Sequence, residues 1–226
     1  MEINHIFFDL DHTLWDFETN SDIAFQTIFK QHNVEVSLEK FLNYYKPINQ
    51  KYWSLYAKDK VSKEELRVGR LKDTFKKINF TASNTLIDHL SVDYIKVLPD
   101  SNLLFDGAHD LLDHLKPNYE LHIITNGFNE VQYKKLEKSN LTKYFKSIIT
   151  SEDVGVKKPN PIIFQHALAT AKATSKESIM IGDNWEADIM GAKNAGFDVI
   201  YCNFNNEPVS QNIKSVSNLN EIKKYL

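Results

Sequence analysis

From about residue 101 onward, short apolar runs alternate with segments of helical length, and this alternation most narrowly limits how the chain folds. Residues 107–115 read as a short helix stopped near Pro117. Leu121-His122-Ile123-Ile124 is a β-rich run that ends at Thr125-Asn126-Gly127, and residues 129–138 read as the helix after it. Residues 145–149 are a strand, 161–173 a helix, and 178–181 a strand ending at Gly182-Asp183. A helix over 186–195, closed by Gly196, and a strand at 199–201 complete the series. Parallel strands need long crossovers, so the pattern predicts an α/β fold: a mostly parallel sheet with helices on both faces.

One more strand belongs to this sheet. Ile6-Phe7-Phe8 is an apolar run that stops abruptly at Asp9 and Asp11. In an open α/β sheet the carboxyl ends of the strands carry the chemistry, so such a stop reads as a buried strand opening into a polar site. Strand alternation points Asp9 and Asp11 the same way, and two like charges so close need a cation or a shared proton. A hard divalent ion with oxygen ligands fits, Mg²⁺ being the usual one. The same pair also fits a strand running out into a solvated turn.

Between these parts the character changes. Residues 15–100 contain glycine only at Gly69 and are rich in Lys, Glu, Phe and Tyr at helical spacing. Ile23, Thr27 and Ile28 mark a first helix, Ser62 and Glu65 form a capping box for a later one, and Leu86, Leu90 and Tyr94 mark the last. We therefore expect a core domain of residues 1–15 and 101–226 and an inserted helical domain of residues 16–100. The 226 residues are 42% hydrophobic, enough for a real core, and the net charge of −3 is interspersed rather than gathered into a basic stripe. That excludes a nucleic-acid polymer as partner but not a small phosphorylated ligand. The single cysteine, Cys202, excludes an internal disulfide and reads as a small buried hydrophobe. With no membrane-length apolar run and no leader pattern, a cytoplasmic protein, monomeric or homodimeric, is the expectation.

Three further strand ends carry matching chemistry. Thr125 offers a hydroxyl, and Asn126 and Gly127 an amide and a closely approachable backbone, all suited to phosphate oxygens; Asn-Gly is equally a common tight turn. In Lys157-Lys158-Pro159-Asn160-Pro161, Lys158 stands at a proline-rigidified helix entry, where it would neutralise a phosphoryl group. Asp183 would complete a metal site with Asp9, while Asp188 would bind a metal water, hold Lys158, or simply stabilise its own helix terminus. The eight histidines, His5, His12, His32, His89, His109, His114, His122 and His166, show no metal-ligand spacing and receive no role.

Taken in order, Asp9-x-Asp11-x-Thr13, Thr125, Lys158 and the Asp183/Asp188 pair resemble the four motifs of the haloacid dehalogenase-like hydrolases, in the branch with a helical cap inserted after the first motif. The resemblance implies a Rossmann-like core and a cap over the site. The segment 124–128 and the stretch 49–56 followed by Gly69-Arg70 are also similar to the pyrimidine 5′-nucleotidases of the YjjG type. On this resemblance the chain is a Mg²⁺-dependent phosphomonoesterase acting on nucleoside 5′-monophosphates. Asp9 is the nucleophile, giving an aspartyl-phosphate, and Asp11 the acid and then the base; Asp9, the Asp11 backbone carbonyl and Asp183 hold the ion. Thr125, Asn126, Gly127 and Lys158 bind the phosphoryl group, and cap residues such as Trp53 and Arg70 select the substrate, with aromatic packing inside the cap as the plainer reading of Trp53. Asp11 speaks against dehalogenation and phosphonate hydrolysis, which lack a second aspartate. A sugar-phosphate or phosphoglycolate phosphatase or a phosphosugar mutase carries the same motifs, and a non-catalytic phospholigand-binding protein is the reading from another class.

Overall fold

The strand β1, His5–Phe8, is short because it needs no more: Ile6, Phe7 and Phe8 are wholly buried and accept neighbours on both sides. The structure is a computed structural model and describes residues 2–209 and 212–226. Parallel pairing puts β2 (Glu120–Thr125) on one side of β1 and β4 (Ser178–Gly182) on the other. β3 (Phe145–Thr150) lies outside β2, and β5 (Asp198–Cys202) and β6 (Lys214–Val216) lie outside β4, giving the all-parallel order β3-β2-β1-β4-β5-β6. The chain builds outward on one side of β1 and then crosses to the other, so the carboxyl end of β1 is the switch point at which α/β sheets hold ligands. The near-continuous apolar runs follow from burial on both faces.

Two compact units divide the chain: one runs to Phe17 and resumes at Asn102, and the other spans Glu18–Ser101. The second contains α1 (Phe17–Gln31, which starts at the junction), α2 (Leu38–Ala57), α3 (Lys63–Lys77) and α4 (Asn84–Val97). The capping box at Ser62 and Glu65 forms as the sequence predicts. Stacked and edge-on rings of Phe25, Phe29, Phe41, Tyr45, Phe75 and Tyr94 fill this unit's interior. The Tyr52 ring packs directly over Gly69, where a Cβ would come within 2.6 Å of it.

In the sheet unit, α5 (Ala108–Leu115), α6 (Asn129–Lys138), α7 (Ser151–Val154), α8 (Pro161–Ala171) and α9 (Gly191–Asn194) supply the crossovers and caps. Two differences from the sequence reading stand out. The expected helix 186–195 is instead a wide π-turn, Trp185–Met190, followed by α9. β6 has no apolar run to announce it, being Lys-Ser-Val on the sheet edge. Cys202 is buried, as a small hydrophobe would be. Among the described residues, no helix is long and apolar enough to cross a membrane.

Candidate active site

Lys158 is the centre of the site. Gly155, at φ 83°, ends α7, and Asn160 with Pro161 starts α8, so the intervening chain turns back over the strand ends and aims Lys158 inward. Its side chain is 2% exposed, and Nζ lies 2.6 Å from Asp9 Oδ1, 2.6 Å from Asp188 Oδ1 and 2.6 Å from the carbonyl oxygen of Ile124. Burial works against the ammonium charge, but Asp188 and Asp9 outweigh it and hold the Lys158 pKa above its ordinary value.

Asp9, Asp183 and Asp188 each offer a carboxylate oxygen within 4.8 Å of the others. Burial drives the Asp9 pKa well above the usual carboxylate range, against the pull of Lys158 and with the repulsion of Asp188 and Asp183 added. Burial, then the charge of Asp188, pushes Asp183 up to about 8. Thr13 donates to Asp183 Oδ1 at 3.3 Å. The cluster is therefore short of positive charge, and its all-oxygen donor set suits a hard divalent cation. The π-turn contributes directly: it carries Asp188 inward, where Oδ2 accepts from the Asn184 amide at 3.0 Å while Oδ1 faces Lys158. Gly182 has to lack a side chain, since a Cβ would sit 2.4 Å from Asp188 Oδ2.

Asp11 is handled separately. The strand stops at Phe8, and His12 at φ 61° turns the chain, so alternation along a strand does not orient Asp11. Lys135 Nζ donates to its Oδ1 at 2.5 Å, and Gln132 Nε2 to its Oδ2 at 3.0 Å. Gln132 Nε2 also lies 2.7 Å from Thr125 Oγ1, tying the first strand end to the second. Lys135 is buried beneath the Trp15 ring, 4.1 Å from its centroid; burial lowers its pKa although Asp11 opposes the shift. Gly127 leaves room for this contact, because a Cβ there would meet Gln132 at 2.4 Å.

Sequence reasoning missed Gln132 and Lys135, but a signal was present. Phe128, Val131 and Leu136 mark the buried stripe of α6, and positions 132 and 135 fall on the same stripe. A polar residue on an apolar stripe asks for a buried partner.

The predicted phosphate-site residues divide by use. Thr125 is buried at the end of β2, and its hydroxyl accepts from Gln132 and from the Gly127 amide at 3.1 Å. The Asn126 side chain serves Lys158: Oδ1 accepts from the Lys158 amide at 2.8 Å and Nδ2 donates to its carbonyl at 3.0 Å. Trp53 and Arg70 both belong to the helical unit. Trp53 is half-buried with its ring edge-on to Tyr56, whereas Arg70 is 2% exposed, donates to Asn49 Oδ1 at 2.7 Å and stacks on Tyr94 at 4.9 Å.

A sequence model of the family described as haloacid dehalogenase-like hydrolase matches residues 6–202. The pyrimidine 5′-nucleotidase PynA of Streptococcus pneumoniae is 34% identical over 200 residues, covering 88% of this chain and 83% of that one. The pyrimidine 5′-nucleotidase YjjG of Escherichia coli is 31% identical over 230 residues, covering 100% and 99%. The magnesium-bound orthorhombic crystal structure of YfnB from Bacillus subtilis superposes with a TM-score of 0.90 at 29% identity, covering 100% of this chain and 99% of that one.

The two Asn126 tethers give a direct test of how Lys158 is held. Asn126→Ala removes both, at roughly 1 kcal/mol each, so denaturant unfolding should show a loss of about 2 kcal/mol. An unchanged midpoint would mean that the turn holds Lys158 without them.

Proposed function

Because the chain belongs to the haloacid dehalogenase-like hydrolases, we propose that it is a phosphomonoesterase that works through an aspartyl-phosphate and acts on nucleoside 5′-monophosphates. The observation that carries this reading is the division of labour between two carboxylates two residues apart. Asp9 meets Lys158 within a buried acidic cluster, and Asp11 meets Lys135 and Gln132 outside it. Separate environments for two titratable groups are what nucleophile and acid/base roles require.

Asp9 attacks phosphorus as the ester P–O bond breaks, and Asp11 as a carboxylic acid gives its proton to the leaving oxygen, releasing the nucleoside. Asp11, now a carboxylate, takes a proton from water as that water attacks the acyl phosphate, freeing orthophosphate and restoring Asp9. Lys135 and Gln132 fix both Asp11 oxygens in direction. Lys158 and the Thr125 hydroxyl, with the Asn126 and Gly127 backbone, neutralise and hold the phosphoryl oxygens. Asp9, Asp183 and the Asp11 backbone carbonyl would hold Mg²⁺, which supplies the charge that lets a carboxylate approach a dianionic ester. Asp188 acts on Lys158 rather than on substrate.

The nucleotide preference rests on two relatives named as pyrimidine 5′-nucleotidases. Trp53, partly exposed, is the cap residue we assign to stacking on a base. Arg70, enclosed among Asn49, Tyr45 and Tyr94, serves the interior of the helical unit instead of the polar edge of a base.

A phosphate-release screen over nucleoside monophosphates, sugar phosphates and phosphoglycolate, with and without EDTA, tests the proposal. EDTA-sensitive release favouring the nucleotides is expected; sugar phosphates ahead by more than about tenfold in kcat/KM, near 1.4 kcal/mol, would replace the nucleotidase assignment. Asp11→Asn should lower kcat by about 100- to 10,000-fold, and it should lower the unfolding midpoint as well, because the buried Lys135 ammonium loses its carboxylate partner. Lys135→Met should lower kcat in the same direction by up to about 100-fold through misplacement of Asp11. Mg²⁺ binding should also depend on pH. Below about 8, Asp183 carries a proton that must leave before the ion enters, so the Mg²⁺ concentration giving half-maximal thermal protection should fall from pH 6 to pH 8 and flatten above. A pH-independent midpoint would mean that Asp183 gives up no proton when Mg²⁺ binds.

A further inference from the structure

The fold gathers a second set of donor side chains at the amino ends of the central strands. His5 opens β1, Glu120 opens β2, and parallel register pairs them directly; His122 follows two residues later on the same face. These amino ends lie away from the carboxyl ends that carry Asp9 and Thr125. His5 Nδ1 lies 3.3 Å from His122 Nε2 and 3.8 Å from Glu120 Oε2, and one donor atom from each of the three lies within 4.8 Å of the others.

We propose that His5, His122 and Glu120 form a second metal site, for a borderline divalent transition ion such as Zn²⁺, with water in the fourth position. Two histidines and one carboxylate with an open position are an established donor set for that ion. Two imidazole nitrogens at about 2.05 Å from a tetrahedral ion stand about 3.3 Å apart, which is the separation found between His5 and His122. Glu120 is 53% exposed and free to close its longer gap.

His122 is also prepared as a ligand. Its Nδ1 lies 2.7 Å from Ser147 Oγ, an acceptor that serves the Nδ1–H tautomer, the one that leaves the Nε2 lone pair facing His5. A hydrogen bond from the far ring nitrogen is the usual outer support of a metal-bound histidine. The Phe7 ring stacks on His122 at 4.6 Å and holds its plane. Burial above all lowers the His122 pKa to about 4, so the ring is neutral and able to bind a metal near neutral pH. Nitrogen donors favour transition ions over Mg²⁺, so the two ends of the sheet would sort cations by hardness.

Calorimetric titration of Zn²⁺ into the full chain saturated with Mg²⁺ tests this. One equivalent of Zn²⁺ should bind, and the double variant His5→Gln, Glu120→Gln should lose that equivalent or bind it at least about tenfold more weakly. Zn²⁺ binding of unchanged stoichiometry and affinity in that variant would overturn the proposal, as would no Zn²⁺ uptake by the Mg²⁺-saturated wild type. A measurement on the wild type alone stands beside the variant: Zn²⁺ should shift the imidazole ¹⁵N resonances of both His5 and His122. Resonances that stay in place on addition of Zn²⁺ would overturn it even if the variant fails to fold.

Discussion

The buried ammonium of Lys158 is what the arrangement of charges at the strand ends depends on. Lys158 stands between Asp9 and Asp188, and without it three carboxylates would meet at the strand ends with nothing to offset them. Opposite charges at about 4 Å interact by roughly 4 kcal/mol at the dielectric typical of protein sites, yet burying each ion costs several kcal/mol. One ammonium against three carboxylates therefore leaves a deficit of two charges. Burial, with the repulsion of Asp188 added, raises the Asp183 pKa, and a divalent ion would offset the deficit.

The scaffold holds this arrangement through backbone rather than through long side chains. Asn126 grips both the amide and the carbonyl of Lys158, so the end of β2 sets the position of a residue beyond β3. The π-turn after β4 brings Asp188 to the same ammonium. Gly127 and Gly182 are small for a related reason: Gln132 and Asp188 pass within 2.4 Å of where a Cβ would be. Loops short enough to be anchored in this way keep reacting groups within the tolerance that catalysis needs.

Asp11 lies outside this economy of charge. Its partners come from α6, where Lys135 under Trp15 and Gln132 against Thr125 form a unit distinct from the Lys158 cluster. Two carboxylates two residues apart thus face different cations, which is the condition for different roles. At the amino ends of the strands the same parallel register sets imidazoles beside a carboxylate, a softer donor set than the carboxylate cluster. The sheet is the common cause, since it aligns residues from strands distant in sequence at either end.

The sequence by itself determined the class of fold and the residues that follow each strand. Apolar runs, helical spacing and turn residues are local signals, and they bring Asp9 and Asp183 just past strand ends, Thr125 to the last position of β2 and Lys158 into the turn between α7 and α8. Even locally the reading had bounds: it expected a regular helix where the π-turn lies, and a strand-like alternation where His12 turns the chain. Only the tertiary structure decided which charges meet. Lys135 reaches Asp11 across 124 positions and His5 reaches His122 across 117, separations that no spacing rule can read. It also set Arg70, a candidate for substrate selection, inside the helical unit, because its surroundings are made by three other helical positions, Tyr45, Asn49 and Tyr94. The physical reason is that hydrophobic pattern specifies which face of an element is buried, whereas the partner found there depends on how separate elements pack.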